Sequence, residues 1–453
     1  MFSFFYGKIL NMSETNNKNE GRMEAIVSLC KRRGFIFPGS EIYGGLAGTY
    51  DYGPLGVALK KNIQASWYKK FVEDRDDIFP IDAAILMNPK AWEASGHVSG
   101  FSDPLVECVK CHNRFRADHI EIIDGVQHCP NDNGILGASR QFNMMFKTQI
   151  GATEDPTSIT YLRPETAGGM FVNFKNVIDS LHPKLPFGLA QTGKAFRNEI
   201  APRDFVFRMR EFEQMEIEYF CHESKWEEVF ESLRTDFNSW LISLGLSKEL
   251  IHEVEIGEKD RAFYSKRTID FEFDFPIGQK ELAGLAYRTD YDLTQHSEFS
   301  KTDLSYFDEE SKERFIPHCI EPSIGVERAF LAVLSSAYKE EVVGEETRTV
   351  LSFVPSIAPI QIAVLPLSKK EELSIPAKEI VKTLKKIARV QYDETQSIGK
   401  RYRRQDEIGT PYCVTVDFDT LTDKAVTVRD RDTMLQERVK IVDLDNYLLE
   451  KLS

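Results

Sequence analysis

The fold of this chain is decided by two neighbouring stretches, Phe196-Arg197-Asn198-Glu199 and, after a short loop, Arg208-Met209-Arg210-Glu211-Phe212-Glu213-Gln214-Met215-Glu216. We expect a hairpin, in which the first stretch ends one strand and the second forms the return strand. Strand residues two apart point the same way, so one face would carry Arg208, Arg210, Phe212 and Glu216. Guanidinium groups clamp phosphates and an aromatic ring stacks on a base, so this face suits a nucleoside triphosphate. A solvated face with surface ion pairs is the alternative, and it accounts less well for the whole string.

A second stretch with chemical content is Glu321-Pro322-Ser323-Ile324-Gly325-Val326-Glu327-Arg328, which precedes an apolar helical run over Ala329–Leu334. It predicts a strand, a glycine turn and an arginine in the first turn of a helix. Backbone N–H groups at a helix N-terminus attract anions, and the Arg328 guanidinium would strengthen that attraction. The alternative is an ordinary strand–turn–helix unit with Arg328 in solvent.

The remaining periodicity predicts an α+β fold, with an antiparallel sheet flanked by helices. Ile269, Phe271, Phe273 and Phe275 alternate with acidic residues, as in a half-buried antiparallel strand. Val57–Phe71 has the apolar spacing of a helix. Neither a P-loop nor a dinucleotide-binding glycine fingerprint occurs, so a nucleotide would bind without such loops.

Changes in composition divide the 453 residues into domains. We expect a disordered leader over 1–22, a main domain over 23–356 with a Cys-rich insert near 101–140, and a tail domain over 357–453. The tail follows a boundary with two prolines, and its short β-branched stretches alternate with helical ones. This pattern predicts a small α/β domain.

The net charge is −14, which by itself argues against a general nucleic-acid binder. The acid is concentrated in residues 1–356, because residues 357–453 hold 17 Lys and Arg against 16 Asp and Glu. The seven cysteines are sparse and odd in number, which favours a reducing compartment over a disulfide framework. No apolar run is long enough for a membrane span. We therefore expect a cytoplasmic protein with no membrane partner.

The two quoted stretches resemble motifs 2 and 3 of the class II aminoacyl-tRNA synthetases. Other stretches are similar to the glycyl-tRNA synthetases of the single-chain, dimeric type, namely Tyr43-Gly44-Gly45, Tyr52-Gly53-Pro54-Leu55-Gly56, Phe115-Arg116-Ala117-Asp118, Arg163-Pro164-Glu165-Thr166-Ala167 and, in the tail, Ser397–Pro411 and Val428-Arg429-Asp430-Arg431-Asp432. They occur in the family's order from about Met23 to Leu452, so the resemblance covers nearly the whole chain.

The resemblance implies an enzyme that activates glycine with ATP to glycyl-adenylate and then transfers it to the 3′ end of tRNA(Gly). It implies a catalytic antiparallel sheet, a C-terminal anticodon-binding domain and a homodimer. Motif 1 would form the dimer interface from the helix Val57–Phe71 and a strand through Ile78–Leu86, with Pro80 as its proline. The glycine carboxylate has a pKa of roughly 3.5 and needs no general base. Catalysis would therefore rest on positioning and charge neutralisation.

Two arginines are implied as catalytic, Arg197 at the α-phosphate and Arg328 at the γ-phosphate of ATP. Glu199 would read adenine with Phe212 stacked on it, and Glu281 would carry Mg²⁺. The full set implied for ATP is Arg197, Asn198, Glu199, Phe207, Arg208, Met209, Arg210, Glu211, Phe212, Glu281, Leu282, Gly325, Val326, Glu327 and Arg328.

Glycine has no side chain, so its pocket must hold the ammonium and carboxylate groups and exclude larger molecules by a steric wall. The candidates for the ammonium are Glu165, Glu216 and Glu321, with Ser323 beside them, and those for the carboxylate are Arg116 and Arg288. The full set implied for glycine is Arg116, Glu165, Phe212, Glu213, Gln214, Met215, Glu216, Arg288, Glu321, Pro322, Ser323, Ile324 and Gly325. Gly168 is a departure, because the family more often has glutamine there, and the loss of that side chain would alter the edge of the site.

The insert carries Cys108-x-x-Cys111 and then Cys129-Pro130-Asn131-Asp132, which resemble half of a zinc ribbon. A structural zinc site requires four ligands, and Asp132, His112 or His128 would supply the fourth. The alternative, which weighs about equally, is a decayed ribbon with three free thiols. We take Cys108, Cys111, Cys129 and Asp132 as the candidate zinc ligands.

In the tail, Lys400-Arg401-Tyr402-Arg403-Arg404 combines cations with an aromatic ring, a set that suits unpaired RNA bases. The resemblance favours anticodon contacts by Arg401, Arg403, Arg404, Arg429 and Arg431. A solvated helix face is the alternative, since acidic residues lie beside them.

Two alternative functions are considered. One is a synthetase-like accessory subunit without catalysis, and the other is a class II synthetase for another small amino acid. The intact motif residues disfavour the first. The acidic pocket and the lack of a spare editing domain disfavour the second.

Overall fold

The computed structural model describes residues 21–120, 122–123, 126–152, 155 and 158–452. The predicted leader lies outside the described residues except for residues 21 and 22, which are helical. The Arg22 guanidinium donates to the carbonyl oxygens of Ser335 and Tyr338, at 2.8 and 3.2 Å. Arg22 is therefore anchored to the main domain, and the domain bounds stay a prediction.

A seven-stranded sheet forms the centre of the main domain. Its strands in chain order are β1 Ile78–Pro80, β2 Phe187–Phe196, β3 Glu211–Cys221, β4 Ile251–Glu255, β5 Arg267–Phe275, β6 Gly278–Thr289 and β7 His318–Gly325. Their order across the sheet is β4-β5-β6-β7-β3-β2-β1. Neighbours are antiparallel except for β1, which runs parallel to β2 at the edge. This arrangement confirms the predicted α+β class.

Helices flank this sheet and build the tail. In the described residues they are α1 over 21–33, α2 Pro54–Tyr68, α3 Pro89–Ala94, α4 His97–Gly100, α5 Ala167–Leu181, α6 Trp226–Ser243, α7 Tyr291–Ser300, α8 Val326–Ala337, α9 Glu371–Leu384, α10 Ile398–Ile408, α11 Thr420–Asp423 and α12 Leu444–Leu452. Helix α2 starts earlier than predicted because Pro54 occupies its first turn, where no backbone N–H is needed. It continues as a π-helical turn over Lys69–Glu73. None of these helices is both long and apolar enough to cross a membrane.

The two faces of β3 have different partners, because alternate strand residues point to opposite sides. Met215, Ile217 and Tyr219 belong to the large apolar core that also contains buried residues of α2, α6 and α8. The other face of β3 carries Gln214 and Glu216, and both are buried. A row of polar side chains on a central strand is costly unless something compensates it, so this face marks a site.

Shorter strands complete the main domain. Outside the insert they are Ile36–Pro38, Tyr50–Tyr52, Lys147–Gln149, Ile159–Tyr161, Tyr306–Phe307, Arg314–Phe315, Tyr338–Val343 and Glu346–Leu351. Inside the insert they are Ser102–Glu107, Arg114–Arg116, Ile122–Ile123, Val126–Gln127 and Arg140–Asn143. Short 3₁₀ turns lie at Glu41–Tyr43, Ala117–His119, Phe205–Phe207, Glu223–Lys225, Lys248–Leu250 and Ile441–Asp443. The insert has its own small apolar cluster, which suits a separate module.

The tail is a five-stranded mixed sheet with helices packed on it. Its strands are β8 Ile362–Pro366, β9 Val390–Tyr392, β10 Tyr412–Val416, β11 Ala425–Asp430 and β12 Gln436–Lys440, in the order β9-β8-β10-β11-β12. Strand β8 pairs parallel to both of its neighbours, β9 and β10. Strand β11 pairs antiparallel to both of its neighbours, β10 and β12. The tail has its own apolar core, formed by strand residues such as Val364 and Val414 and helix residues such as Leu373 and Leu448.

Candidate active site

A cavity of about 260 Å³ opens over strands β3, β6 and β7. Its lining residues are Glu165, Arg197, Glu199, Val206, Phe207, Arg208, Met209, Phe212, Gln214, Glu216, Tyr264, Glu281, Leu282, Ala283, Glu321, Ser323, Ile324, Gly325, Glu327 and Arg328. The structure thus brings together most of the residues predicted for ATP and glycine. Val206, Tyr264 and Ala283 were not predicted, because nothing in their local sequence distinguishes them from ordinary core or loop residues.

Several predicted residues lie off the cavity because of the phase of β3. The strand begins at Glu211, so the alternation does not extend back to Arg210. The Arg210 side chain instead donates to the carbonyl oxygens of Ala47 and Glu199. Glu213 points to the far side and binds Lys60 at 2.6 Å. The other predicted residues absent from the lining are Asn198, Glu211, Met215, Pro322, Val326, Arg116 and Arg288.

Arg197 is held between two aromatic rings at the cavity wall. Its guanidinium carbon lies 5.3 Å from the centroid of Phe101 and 5.4 Å from that of Phe212. Its Nε donates to the carbonyl oxygen of Pro164 at 3.1 Å. The remaining guanidinium N–H groups can face an anion in the cavity without the side chain having to reorganise.

Arg328 lies on the opposite side of the cavity, in the first turn of α8. Its guanidinium stacks over Phe207, with 4.6 Å to the ring centroid, and contacts the Glu281 carboxylate at 3.1 Å. The positive charge of Arg328 lowers the pKa of Glu281. Arg208 lies nearby, 3.7 Å from the Glu199 carboxylate. The cavity therefore has cations on both sides and an ionised carboxylate, Glu281, that is suited to Mg²⁺ bound to a triphosphate.

Three carboxylates, those of Glu165, Glu216 and Glu321, line one end of the cavity. Glu216 accepts from the backbone N–H of Thr166 at 3.1 Å, from the Thr166 hydroxyl, and from Gln214 Nε2 at 2.8 Å. Glu321 accepts from Arg288 Nη1. This end of the cavity can therefore hold a small cation such as an ammonium group.

The three carboxylates differ in protonation. Burial, together with the charges of Glu321 and Glu165, raises the pKa of Glu216 to about 8. Burial acts in the same direction on Glu165, but contacts with His97 and the charges of Arg288 and Arg197 outweigh it and lower that pKa to about 2. The cavity thus combines an ionised carboxylate with a protonated carboxyl group at neutral pH.

The two arginines predicted to hold the glycine carboxylate do not line the cavity. Arg116 lies on the insert and pairs with Asp103 at 2.6 Å and with Asp118 at 2.7 Å. Arg288 is 1% exposed, and its Nε and Nη2 donate to both Asp292 oxygens at 2.8 and 2.9 Å. Arg288 therefore reaches the cavity through Glu321, whereas Arg197 is the nearer cation for an anionic group.

The packing around Gly168 explains why glycine, and not the glutamine of the family pattern, stands at this position. It lies in the buried first turn of α5. A Cβ atom at this position would lie 2.9 Å from Cζ3 of Trp92, which is fully buried. The Trp92 ring therefore occupies the space beside position 168, and a longer side chain would require that ring to move.

The cysteine cluster of the insert is compact. One ligand atom from each of Cys108, Cys111, Cys129 and Asp132 lies within 4.8 Å of the others. The Cys111 and Cys129 sulfurs are 3.6 Å apart, close to the separation of about 3.7 Å that follows from tetrahedral Zn–S bonds. Backbone N–H groups of Lys110 and Cys111 donate to the Cys108 sulfur at 3.4 and 3.5 Å, as in thiolates that bind a metal.

The alternative fourth ligands lie elsewhere. His112 is exposed and lies 3.6 Å from Glu107. His128 Nδ1 lies 3.4 Å from the carbonyl oxygen of Asn133. Asp132 is thus the residue that the fold brings to the three thiols.

Three of the five arginines predicted to contact the anticodon are buried. Arg401 and Arg431 are each 2% exposed and Arg429 is 5% exposed. Arg429 binds Asp406 at 2.9 Å, and Arg431 donates to the carbonyl oxygens of Gly409 and Phe353, each at 2.8 Å. Their guanidinium groups already serve as internal hydrogen-bond donors, so direct base contacts by these three arginines stay a prediction that their burial disfavours.

Arg403 and Arg404 are different, since both are partly exposed. Arg404 binds Asp393 at 2.6 Å, and Arg403 lies 3.7 Å from Glu346. The neighbouring Lys400 is exposed. Lys400 and Arg403 are therefore the cations of this helix that are best placed to meet RNA.

Comparison with known proteins agrees with the fold. The family described as "tRNA synthetase class II core domain (G, H, P, S and T)" matches residues 146–337, and "Anticodon binding domain" matches residues 361–451. A prolyl-tRNA synthetase from Cryptosporidium parvum, solved with halofuginone and AMPPNP, shares the fold with a TM-score of 0.66 at 17% identity, over 94% of this chain and 75% of its own. The two family models indicate a class II aminoacyl-tRNA synthetase core followed by an anticodon-binding domain, and the solved structure shows the same fold.

Closer relatives narrow the assignment. The glycine–tRNA ligase of Alkaliphilus oremlandii is 51% identical over 96% of this chain and 99% of its own length. That of Ruminiclostridium cellulolyticum is 52% identical over 95% of this chain and 99% of its own length. The chain belongs to the glycine–tRNA ligase family.

Proposed function

We propose that this chain is a glycine–tRNA ligase, which forms glycyl-adenylate from glycine and ATP and then transfers glycine to tRNA(Gly). The observation that carries this proposal is the cavity, in which three carboxylates at one end face two arginines stacked on aromatic rings. An ammonium-binding end beside a phosphate-binding end matches the two substrates of the first step. The family membership supports the same reaction.

ATP binding is assigned to the residues around the two arginines. Arg197 contacts the α-phosphate and Arg328 the γ-phosphate, while Phe212 stacks on adenine beside Glu199. Glu281 is the carboxylate that would hold Mg²⁺, and the ion would supply neutralisation of phosphate charge. Arg328, which contacts Glu281 at 3.1 Å, would turn toward the phosphates.

Glycine binding is assigned to the acidic end of the cavity. Glu165, Glu216 and Glu321 surround the ammonium group, and the Arg197 guanidinium attracts the carboxylate toward the α-phosphate. Tyr264 belongs to the wall that excludes larger side chains, because its ring stacks on the Arg288 guanidinium at 4.0 Å and so cannot easily retreat. Such exclusion is the easier form of discrimination, since the correct substrate is the smallest.

The chemistry follows from this placement. A glycine carboxylate oxygen attacks the α-phosphorus, the bond to the β-phosphate oxygen breaks, and pyrophosphate leaves with its charge neutralised by cations. A terminal ribose hydroxyl of tRNA then attacks the glycyl carbonyl carbon and displaces AMP. Positioning and charge neutralisation supply the rate enhancement.

Pyrophosphate exchange into ATP tests this proposal. Purified protein should catalyse exchange that depends on glycine and proceeds far more slowly with alanine or serine. Faster exchange with alanine or serine would favour a ligase for another small amino acid. Absence of exchange by a folded protein would favour a non-catalytic copy.

The insert is proposed to bind structural zinc through Cys108, Cys111, Cys129 and Asp132. Three thiolates and one carboxylate form a complete tetrahedral donor set, and the spacing of their ligand atoms supports it. Metal analysis of protein washed with a weak chelator should give about one zinc per chain. A content near zero, unchanged between wild type and Cys129→Ser, would contradict the site.

We further propose a homodimer in the cytoplasm. Strand β1 is the edge of the central sheet, and an edge strand offers unpaired backbone groups to a partner. The seven cysteines are free thiols, which fits a reducing compartment. Mass measurement in solution at two protein concentrations tests the dimer, and a single-chain mass at both would contradict it.

A further inference from the structure

Each of the three carboxylates at the acidic end of the cavity is held by its own polar partners. Thr166 and Gln214 hold Glu216, and Arg288, itself fixed by Asp292, holds Glu321. Glu165 differs, because its partner is a residue that no motif contains. That partner is His97, whose Nε2 lies 3.3 Å from Glu165 Oε2.

The His97 ring is fixed on every side. Its Nδ1 lies 2.8 Å from the Ser95 hydroxyl oxygen, so both ring nitrogens have polar partners. Trp92 packs against the ring edge-on at 5.5 Å between centroids, and Phe101 packs at 5.4 Å. The ring is only 8% exposed. The buried imidazole therefore has polar contacts at both ring nitrogens and two aromatic walls, and its Nε2 faces Glu165.

The same aromatic wall reaches the phosphate-binding end. Phe101 also contacts the Arg197 guanidinium, at 5.3 Å from the ring centroid. The segment from Trp92 to Phe101 therefore supports Glu165 and Arg197 together.

We propose that His97 is a positioning residue for glycine, which holds the Glu165 carboxylate at the place where the substrate ammonium binds. This inference rests on the proposed function. Glycine offers few contacts, so a misplaced carboxylate cannot be compensated elsewhere on the substrate. His97 does not touch glycine itself, and its effect is transmitted through Glu165.

Kinetics of glycine-dependent exchange test this role. His97→Leu should raise the KM for glycine about tenfold or more, as expected for the loss of a polar contact to a charged group. The KM for ATP should change by less than about twofold, because the ATP contacts remain. His97→Gln, which keeps an N–H group near Nε2, should recover most of the lost affinity. The matched control is His252→Leu, which removes an exposed histidine that pairs with Asp274 at 3.0 Å far from the cavity, and it should leave both constants unchanged.

A double-mutant cycle separates positioning from mere structural support. If His97 acts through Glu165, His97→Leu should have little further effect on glycine KM once Glu165→Gln is present. Multiplied effects, or equal rises in the KM for glycine and ATP, would overturn the role of His97. Should His97→Leu fail to fold, His97→Gln and Ser95→Ala in the same cycle decide the question. A folded wild type without glycine-dependent exchange would instead overturn the proposed function.

Discussion

At the residue scale, Arg197 is the side chain on which the proposed first step depends most. Its place between Phe101 and Phe212 fixes a cation at the cavity wall. We expect Arg197→Ala to lower the exchange rate at least about 100-fold, as when a pre-positioned donor to a developing charge is removed. The control is Arg203→Ala, which removes a mostly exposed arginine of the adjacent loop. Undiminished exchange by Arg197→Ala would contradict the assignment.

Glu216 makes glycine binding depend on pH. Its pKa of about 8 means that the free protein holds a proton on this carboxyl group at neutral pH. The ammonium group binds the ionised form, so binding expels that proton. We expect the KM for glycine to fall roughly tenfold for each pH unit as the pH rises toward about 8, and to level off above that pH. Exchange kinetics from pH 6.5 to 8.5 measure this dependence.

Glu216→Gln supplies the control for that profile. An amide cannot ionise, so its higher KM for glycine should not change with pH over the same range. The raised pKa also affects the unliganded fold. Glu216 contributes stability that is fully present below pH 4.5, its ordinary pKa, and that is lost as the pH rises through about 8. A pH-dependent KM retained in Glu216→Gln would assign the dependence to another group.

Site residues that belong to a sequence motif could be predicted from the sequence, whereas the partners of each charged side chain could not. Arg197, Phe212 and Arg328 belong to motifs, and the cavity contains all three. Arg401, Arg429 and Arg431 are equally basic in sequence, but they are buried because a carboxylate or backbone carbonyl meets each one. His97 gave no signal, since a lone histidine has a role only through the residues that the fold brings to it.

At the scale of elements, strand and helix types were predictable, and the inward face was predictable for β5 but only in part for β3. The alternation of Ile269, Phe271, Phe273 and Phe275 predicts β5, which spans Arg267–Phe275. For β3 the predicted face failed at Arg210, because the chain leaves the preceding loop only at Glu211. A strand's starting residue is fixed by tertiary contacts, here between Arg210 and the carbonyl oxygens of Ala47 and Glu199.

Helix α5 provides a prediction at this scale. Gly168→Ala would place a methyl group against Trp92, so we expect a loss of about 1–3 kcal/mol in the free energy of unfolding. Gly399→Ala is the matched control, because Gly399 is also helical and a Cβ there would meet nothing within 4 Å. That control should gain about 0.5–1 kcal/mol. Urea unfolding measures both, and equal effects would contradict the packing argument.

At the scale of the whole molecule, buried ion pairs join the tail to the main domain. Arg348, on a hairpin of the main domain, donates to Asp406 of α10 at 2.8 Å and to the carbonyl oxygen of Arg431 at 2.6 Å. Arg429 binds the other oxygen of Asp406. The Arg348–Asp406 pair therefore links the tail to the main domain, whereas the Arg429–Asp406 pair lies within the tail.

Asp406→Ala should break this connection. Two buried arginines would lose their carboxylate, which costs about 3–5 kcal/mol when one partner of a buried pair is removed. The control, Asp179→Ala, removes an exposed pair with Lys175 and should cost less than about 1 kcal/mol. Urea unfolding followed by tryptophan fluorescence compares the two. A small loss in Asp406→Ala would mean that the domains dock by other contacts.

The docking of the tail fixes the distance between two proposed RNA-binding surfaces. One surface is the cavity, and the other is the helix surface around Lys400 and Arg403. Because the ion pairs of Asp406 fix this distance, an RNA that binds both surfaces must span it with its own rigid helices. We therefore expect a tRNA lengthened by one base pair between its two ends to be charged more slowly than an equally stable tRNA of natural length, although every contacted nucleotide is the same.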